Sequence, residues 1–462
     1  VENLLKLLNN GKFKEIVEIL EKRGALEPDE LMILGEAYFK LGKINKALAN
    51  FKRIVDVDPD NIDAHFNLAK IYLHLEKYSK AKYHITKVLP KRSKDWIVYD
   101  ILASILIFEG FYHTALPILE QAISLASGDT KATLLDKLTW LKERMEAARN
   151  QPKLAFVCQM NLDNFIDDII KGLQDEYWVQ RWVVANDRAI RAAVDWADIV
   201  WFEWANESTV RGTNYFGIEG KPSIVRLHRY EAFYHTPRKI NWKVVNTLIF
   251  VSEFMIDVFF EFFPELKKEI SNVEVVYNAV DMSKIPFKER KPGYEIAWAG
   301  YVIPRKSPAL AIQVIHELVK EEPRYRLHVA GDYSWSIVME TYLKTIIEGL
   351  NLEKNVILYG WVDDMDEFFE DKNYILHTSL HESFGYSIVE AMGRGIKPVI
   401  HWFEGADELY DKNWLFASLE DAKRIIMSKD YDSSQYRSYI EKKGWTIENQ
   451  IGKIKEILGK MR

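Results

Sequence analysis

Apolar positions recur along residues 28–129 with a fixed step. Leu34, Leu68 and Leu102 lie thirty-four residues apart, and the same step links Gly35, Ala69 and Ala103, and again Ala47, Ala81 and Ala115. Phe51, Ile85 and Leu119 keep the register. Small residues in line with large ones let antiparallel helices nest, so this stretch predicts stacked helix pairs. LLKLLNNGKFKEIVEILEKRG, ahead of it, reads as an incomplete leading repeat, and DTKATLLDKLTWLKERMEAARN, 129–150, as a helix that screens the last apolar face.

After Gln151 and Pro152 the pattern changes. KLAFVCQM, YWVQRWVV, DIVWFEWA, KPSIVRLH, TLIFVS and VEVVYNAV are short apolar runs separated by amphipathic stretches through residue 280, and a second round (YEIAWAG, YRLHVAG, NVILYGWV, YILHTS, KPVIHW) follows FKERKPG. Buried strands alternating with helices predict parallel, doubly wound sheets. The expected divisions are a helical repeat domain over 1–150, a first Rossmann-like domain over 151–290 and a second over 291–440. A closing helix over 441–462 is expected to return toward the first. A period of thirty-four with LGEAYFKLGKINKALANFKRIVDVDP at 34–59 resembles the tetratricopeptide repeats (TPR), whose concave groove implies a protein partner or self-association. Met32, Glu36, Phe66, Lys70 and Asp100 are the groove-facing candidates.

Composition narrows the function. The chain of 462 residues has a formal net charge of −6, which lacks the basic footprint of nucleic-acid binding. A single cysteine, Cys158, excludes an internal disulfide framework and a cysteine zinc site; with no secretory apolar segment and no membrane-spanning run, it points to a cytoplasmic protein. FMIDVFFEFFPELKK, 254–268, is apolar around much of its circumference, which favours burial against a sheet over peripheral membrane attachment, the alternative reading.

The chemistry gathers at HESFGYSIVEAMGRGIKPVI, 381–400, after the strand YILHTS. Ligands of open α/β sheets bind at carboxyl ends of strands, so His381 to Gly385 should line a cleft with a helix behind it. Gly385 lets the backbone approach a ligand, and the free amides of Ser383, Phe384 and Gly385 favour an anion. Glu382 before the helix and Glu390 within it are separated by on the order of 10 Å at about 1.5 Å rise per residue, which suits two hydroxyl-bearing parts of one ligand. A glycosidase would need its carboxyls about 5 to 9.5 Å apart across one bond, which this placement disfavours.

ESFGYSIVEAMGRGIKPVI resembles the E-x7-E signature of the retaining glycosyltransferases of family 4, and IVRLHRYEAF, FVSEF, VVYNAVD, AWAGYVIPRKSP, LHVAGD and VILYGWV follow that family in order along 153–462. The resemblance implies a two-domain GT-B fold whose halves face a cleft. It further implies transfer, with retention, from a nucleotide-diphosphate sugar to a hydroxyl of a glycan or protein. It places Glu382 on the donor sugar, Glu390 on the ribose, Lys306 on the diphosphate and His228 beside the transferring sugar. Two departures stand out. Tyr301 replaces a second cation, which Arg305 is expected to supply, and the loop MNLDNF, 160–165, lacks glycine. Asn161, Asp163, Glu203 and Trp204 are the acceptor-side candidates. No DxD ends a strand, so neither a metal nor a cofactor is expected. The rivals left open are a sugar phosphorylase of the same fold and a TPR scaffold with an inactive transferase domain.

Overall fold

The structure is a computed structural model that describes residues 1–159, 166–333 and 337–461. Among them the first 150 residues form helices α1 (Glu2–Asn9), α2 (Phe13–Glu21), α3 (Pro28–Lys40), α4 (Ile44–Val57), α5 (Ile62–His74), α6 (Tyr78–Val88), α7 (Trp96–Phe108), α8 (Tyr112–Leu125) and α9 (Gly128–Ala148). The thirty-four-residue step sets their packing. A Cβ on Gly35 of α3 would stand 2.7 Å from the Phe51 ring of α4, so the small position is what lets the pair approach. Ala47, Ala81 and Ala115, one in each successive second helix, are fully buried.

Two parallel sheets follow. The first holds β1 (Lys153–Cys158), β2 (Trp178–Val183), β3 (Ile199–Glu203), β4 (Ser223–Leu227), β5 (Thr247–Phe250) and β6 (Val273–Val275) in the order β2-β1-β3-β4-β5-β6. The second holds β7 (Glu295–Ala299), β8 (Arg326–Ala330), β9 (Val356–Gly360), β10 (Tyr374–His377), β11 (Lys397–His401) and β12 (Leu415–Phe416) in the order β12-β11-β10-β7-β8-β9. In both, the order reverses beside the first strand, as in Rossmann-like domains, so the chain is a TPR-like helical region followed by two such domains in the GT-B manner. The chain divides into two compact units, Val1–Val200 and Trp201–Arg462.

Within the first unit the repeats are fixed to the sheet edge. Strand β2 pairs with β1 on one side, and on its other side the turn between α7 and α8 covers it. Arg181 N–H donates to Glu109 O (3.0 Å), Trp178 Nε1 to Gly110 O (2.8 Å) and Gln180 Nε2 to the same oxygen (3.1 Å). Gly110 has φ +80°, and a Cβ there would lie 1.8 Å from Val179 O, so only glycine permits this approach. An edge strand is thereby given backbone partners instead of being left open to other chains.

Within the second unit, the helix Phe254–Phe262 buries Met255, Val258 and Phe259 but leaves Phe262 half exposed. The last helix, Ile447–Gly459, lies by β6: Gln450 Nε2 donates to Tyr277 O (2.7 Å), and Lys460 pairs with Glu274 (3.2 Å). No described helix is long and apolar enough to cross a membrane.

Candidate functional site

The carboxyl ends of β7 and β10 bring two loops together. After β7 the chain runs through Gly300 and Tyr301 into a short 3-10 turn, Pro304–Lys306, closed by Ser307 in the left-handed region (φ +47°). A non-glycine residue there is held at a conformational cost, a feature that concentrates at binding loops. After β10, Leu380 N–H donates to Arg305 O (2.9 Å), and Thr378 Oγ1 donates to Lys306 O (2.9 Å), so the backbone of one loop positions the other. Lys306 Nζ then reaches the Glu382 carboxylate directly. Ser379 Oγ donates to the same oxygen (3.0 Å), with Arg305 Nη1 at 3.6 Å and His377 Nε2 at 3.7 Å. Burial alone would raise the Glu382 carboxyl, but Lys306 and His377 prevail and hold it well below the usual carboxylate range. Burial lowers His381 to about 4, helped by Arg229 and Arg305, so its ring is neutral near pH 7.

Gly385 caps the helix Tyr386–Gly393 with φ +82°, and a Cβ would meet Ile388 Cδ1 at 2.8 Å and Tyr410 Oη at 3.1 Å. The turn through Ser383 to Gly385 at the head of this helix therefore requires glycine. Phe384 is buried; its carbonyl accepts from Tyr410 Oη and its ring meets Trp445 edge-on at 5.1 Å. It anchors the loop from below. Glu390, half-buried, follows in that helix.

Across from this loop, the ends of β3 and β4 carry a buried charge cluster. Glu203 accepts from Trp201 Nε1 (2.8 Å), Arg226 Nη1 (3.2 Å) and His228 Nε2 (2.8 Å). The His228 ring also accepts the Glu231 backbone N–H, closing a capping box in which the Glu231 side chain accepts His228 N–H (3.1 Å). Both ring nitrogens are thus engaged inside the domain, with the proton on Nε2. Burial lowers His228 against the pull of Glu203, whereas Glu203 is kept low by Arg226 and His228 despite its own burial. Glu231, fully enclosed, is raised well above the usual carboxylate range by burial. Trp204, at φ +83°, stacks on His228 with centroids 3.9 Å apart and is only 7% exposed.

One residue outside the sequence-based candidates joins the two sides. Arg229 Nη1 donates to Glu382 O (3.0 Å) and Nη2 to Glu404 (3.3 Å), while its guanidinium lies over the rings of Phe233 (5.4 Å) and Phe254 (5.2 Å). Glu408 strengthens the same seam by accepting from the backbone N–H groups of Glu253 (3.0 Å) and Phe254 (2.6 Å) and from Tyr277 Oη (2.8 Å). The only hint in the sequence was an arginine set between His228 and the aromatics of RYEAF.

The structure therefore brings Arg305, Lys306, Glu382, Ser383, Phe384 and Gly385 into one loop pair. Glu203 and Trp204 differ from expectation: both are buried among neighbours, Glu203 at 1% exposure, so neither presents itself to an acceptor. Asn161 and Asp163 lie outside the described residues. In the first unit, Met32, Glu36, Phe66 and Lys70 line a groove of about 260 Å³ with Phe39 and Arg92, whereas Asp100 is tied to Lys137 of α9 (2.5 Å). Among the described residues no group of three or more His, Cys, Asp or Glu is arranged to hold a metal ion.

In comparison with known proteins, residues 281–421 match the family model of glycosyl transferases group 1, and residues 35–75 match that of the TPR repeat. The glycosyl transferases group 1 segment contains both loops of the site. The chain is similar to the poly(ribitol-phosphate) alpha-N-acetylglucosaminyltransferase of Staphylococcus aureus (strain COL), 27% identical over 124 residues, which are 27% of this chain and 24% of that one. It is also similar to Protein CapJ of Staphylococcus aureus, 29% identical over 164 residues, 33% of this chain and 41% of the relative. These matches thus span well under half of either relative. Among solved structures, HepE from Anabaena in complex with UDP and glucose superimposes with a TM-score of 0.55 at 18% identity, over 67% of this chain and all of that one. This last likeness concerns the fold.

Proposed function

We propose that the protein is a retaining glycosyltransferase of the family 4 type, moving a sugar from a nucleotide-diphosphate donor to a hydroxyl acceptor. The observation that carries this reading is the pairing of Lys306 with Glu382 in a loop whose left-handed turn depends on Gly385. A cation and a row of backbone donors at a strand end suit a diphosphate, and a carboxylate held ionised beside them suits the hydroxyls of a sugar. Bound donor takes over Lys306 from Glu382, which frees the carboxylate to accept from sugar hydroxyls; Glu390 takes the ribose.

As the glycosidic bond breaks, negative charge grows on the diphosphate, where Lys306, Arg305 and the amides are already aimed. No carboxylate stands as an evident nucleophile. The proposed course is front-face displacement, in which the departing diphosphate oxygen takes the acceptor proton. His228 contributes by position: through Glu203 and Glu231 it fixes the backbone that leads into Arg229. Protein Lys and backbone N–H groups carry the phosphate charge without a metal. The TPR groove is proposed to hold a protein partner, in a cytoplasmic setting.

The donors to try first are UDP-N-acetylglucosamine and UDP-glucose, suggested by the named relative and by the ligands of HepE. Incubation with each, followed by NMR of the released or transferred sugar, is expected to show the donor's anomeric configuration kept in the first product. Activity is expected to be lost in Lys306→Ala and in Glu382→Ala. Turnover that survives both substitutions contradicts the site, and an inverted first product contradicts retention.

A further inference from the structure

The segment that follows His228 is a short 3-10 helix, Arg229–Phe233, and in such a helix residues three apart share a face. Tyr230 and Phe233 are so related, and both are 40% exposed. Tyr234, 59% exposed, stands edge-on to Tyr230 with centroids 5.7 Å apart, and Phe262, 50% exposed, stands edge-on to Phe233 at 5.2 Å. Four large rings in two pairs, all partly open to solvent, form a patch of the kind soluble proteins seldom expose without a ligand. Their support is rigid. The buried Glu231 carboxylate accepts from Ala205 N–H (2.8 Å) and His228 N–H (3.1 Å), which ties the helix to the ends of β3 and β4.

The patch continues into the donor loop. The Phe233 ring lies 5.7 Å from that of His381, the residue before Glu382, and His381 Nδ1 is buried without a hydrogen-bond partner. An imidazole that is neutral near pH 7 offers that nitrogen to a hydroxyl donor.

We propose that Tyr230, Phe233, Tyr234 and Phe262 form the binding platform for an oligosaccharide acceptor, with His381 receiving the hydroxyl nearest the donor sugar. This deepens the transferase reading and rests on it. A pyranose has an apolar C–H face and a rim of hydroxyls. The four flat rings match the C–H face, and the phenolic tips of Tyr230 and Tyr234 add polar ends for the rim, at small entropic cost. A bilayer surface would instead call for a basic face beside the rings. Here the neighbouring cation Arg238 is already paired with Glu265 (2.6 Å), and the chain carries a net charge of −6.

The test uses the full chain and defined probes: chitohexaose, cellohexaose and maltohexaose, titrated by calorimetry and by saturation-transfer NMR. At least one hexasaccharide is expected to bind the wild type, with saturation transferred to its sugar protons. Tyr234→Ala and Phe233→Leu are each expected to weaken it about tenfold or more while melting close to the wild type. Tyr234→Ala alone carries the test if Phe233→Leu does not fold. Three results overturn the platform: no hexasaccharide binding to the wild type, unchanged affinity in the variants, or binding of phosphatidylglycerol vesicles or of a second copy that Tyr234→Ala abolishes. Binding of UDP, GDP, ADP and dTDP to the wild type is measured separately. Failure of all four beside intact hexasaccharide binding would refute the transferase reading and leave the platform standing.

Discussion

Removing the Glu203 carboxylate is expected to be among the most damaging single changes outside the apolar cores. The side chains of Glu203 and Arg226 are fully buried, 3.2 Å apart, and Glu203 also accepts from His228 and Trp201. At an effective dielectric constant of about 20, two unit charges at that distance attract by about 5 kcal/mol. Two further buried hydrogen bonds add about 1 kcal/mol each. Relaxation and entering water offset part of this, and removal of one partner from a buried pair costs about 3–5 kcal/mol, because the guanidinium stays behind uncompensated. For a cooperative unit of this size, about 2–4 °C of melting temperature accompanies each kcal/mol. Glu203→Ala is therefore expected to lower the melting temperature by about 6–20 °C. Glu203→Gln, which keeps one acceptor oxygen, should fall between that variant and the wild type. Thermal unfolding followed by circular dichroism reads both. A Glu203→Ala protein that melts within about 2 °C of the wild type would show that the buried charge cluster contributes little to stability.

Three further outcomes follow from the same geometry. Gly110→Ala, which drives a Cβ into Val179 O and demands a left-handed backbone, is expected to cost about 2–4 kcal/mol and to raise proteolytic cleavage near residue 150, read by urea denaturation and limited trypsin digestion. Arg229→Ala removes the brace on Glu382 O, so the donor KM is expected to rise about tenfold in steady-state assays, more than kcat falls; a fall in kcat alone would contradict a positioning role. His84, His228, His377 and His381 are all depressed chiefly by burial, His84 to about 3 and His381 to about 4. Below about pH 6.5 the unfolded chain then binds more protons than the folded one, so the urea midpoint should fall from pH 7 to pH 5, whereas a rise would show that these rings are charged in the native state.

The sequence made the repeats legible because their spacing is a packing rule: Gly35 is small since the Phe51 ring occupies the space a side chain would take. Strands such as Lys153–Cys158 and Glu295–Ala299 coincide with the apolar runs KLAFVC and YEIAWAG, whose burial on both faces leaves little polar alternation. The loop pair around Lys306 and Glu382 was readable for a related reason, since Gly385 is demanded by backbone conformation and Lys306 and Glu382 meet as opposite charges. What stayed hidden depends on direction. Glu203 and Trp204 end a strand, and whether a strand-end side chain turns outward is decided by neighbours distant in the chain, here Arg226 and His228. The contacts of Arg229 with Glu382 and Glu404 span 153 and 175 residues, a separation at which no local pattern carries information.

Binding of a nucleoside diphosphate by Lys306 and the Ser383–Gly385 amides is tested by calorimetric titration of UDP, GDP, ADP and dTDP into the wild type, Lys306→Ala and Glu390→Ala, each with and without EDTA. One diphosphate is expected to bind the wild type saturably and without sensitivity to EDTA. That binding should weaken at least tenfold in Lys306→Ala through loss of the phosphate contact, and in Glu390→Ala through loss of the ribose contact. Failure of every diphosphate to bind, or affinities that ignore both substitutions, would contradict this site.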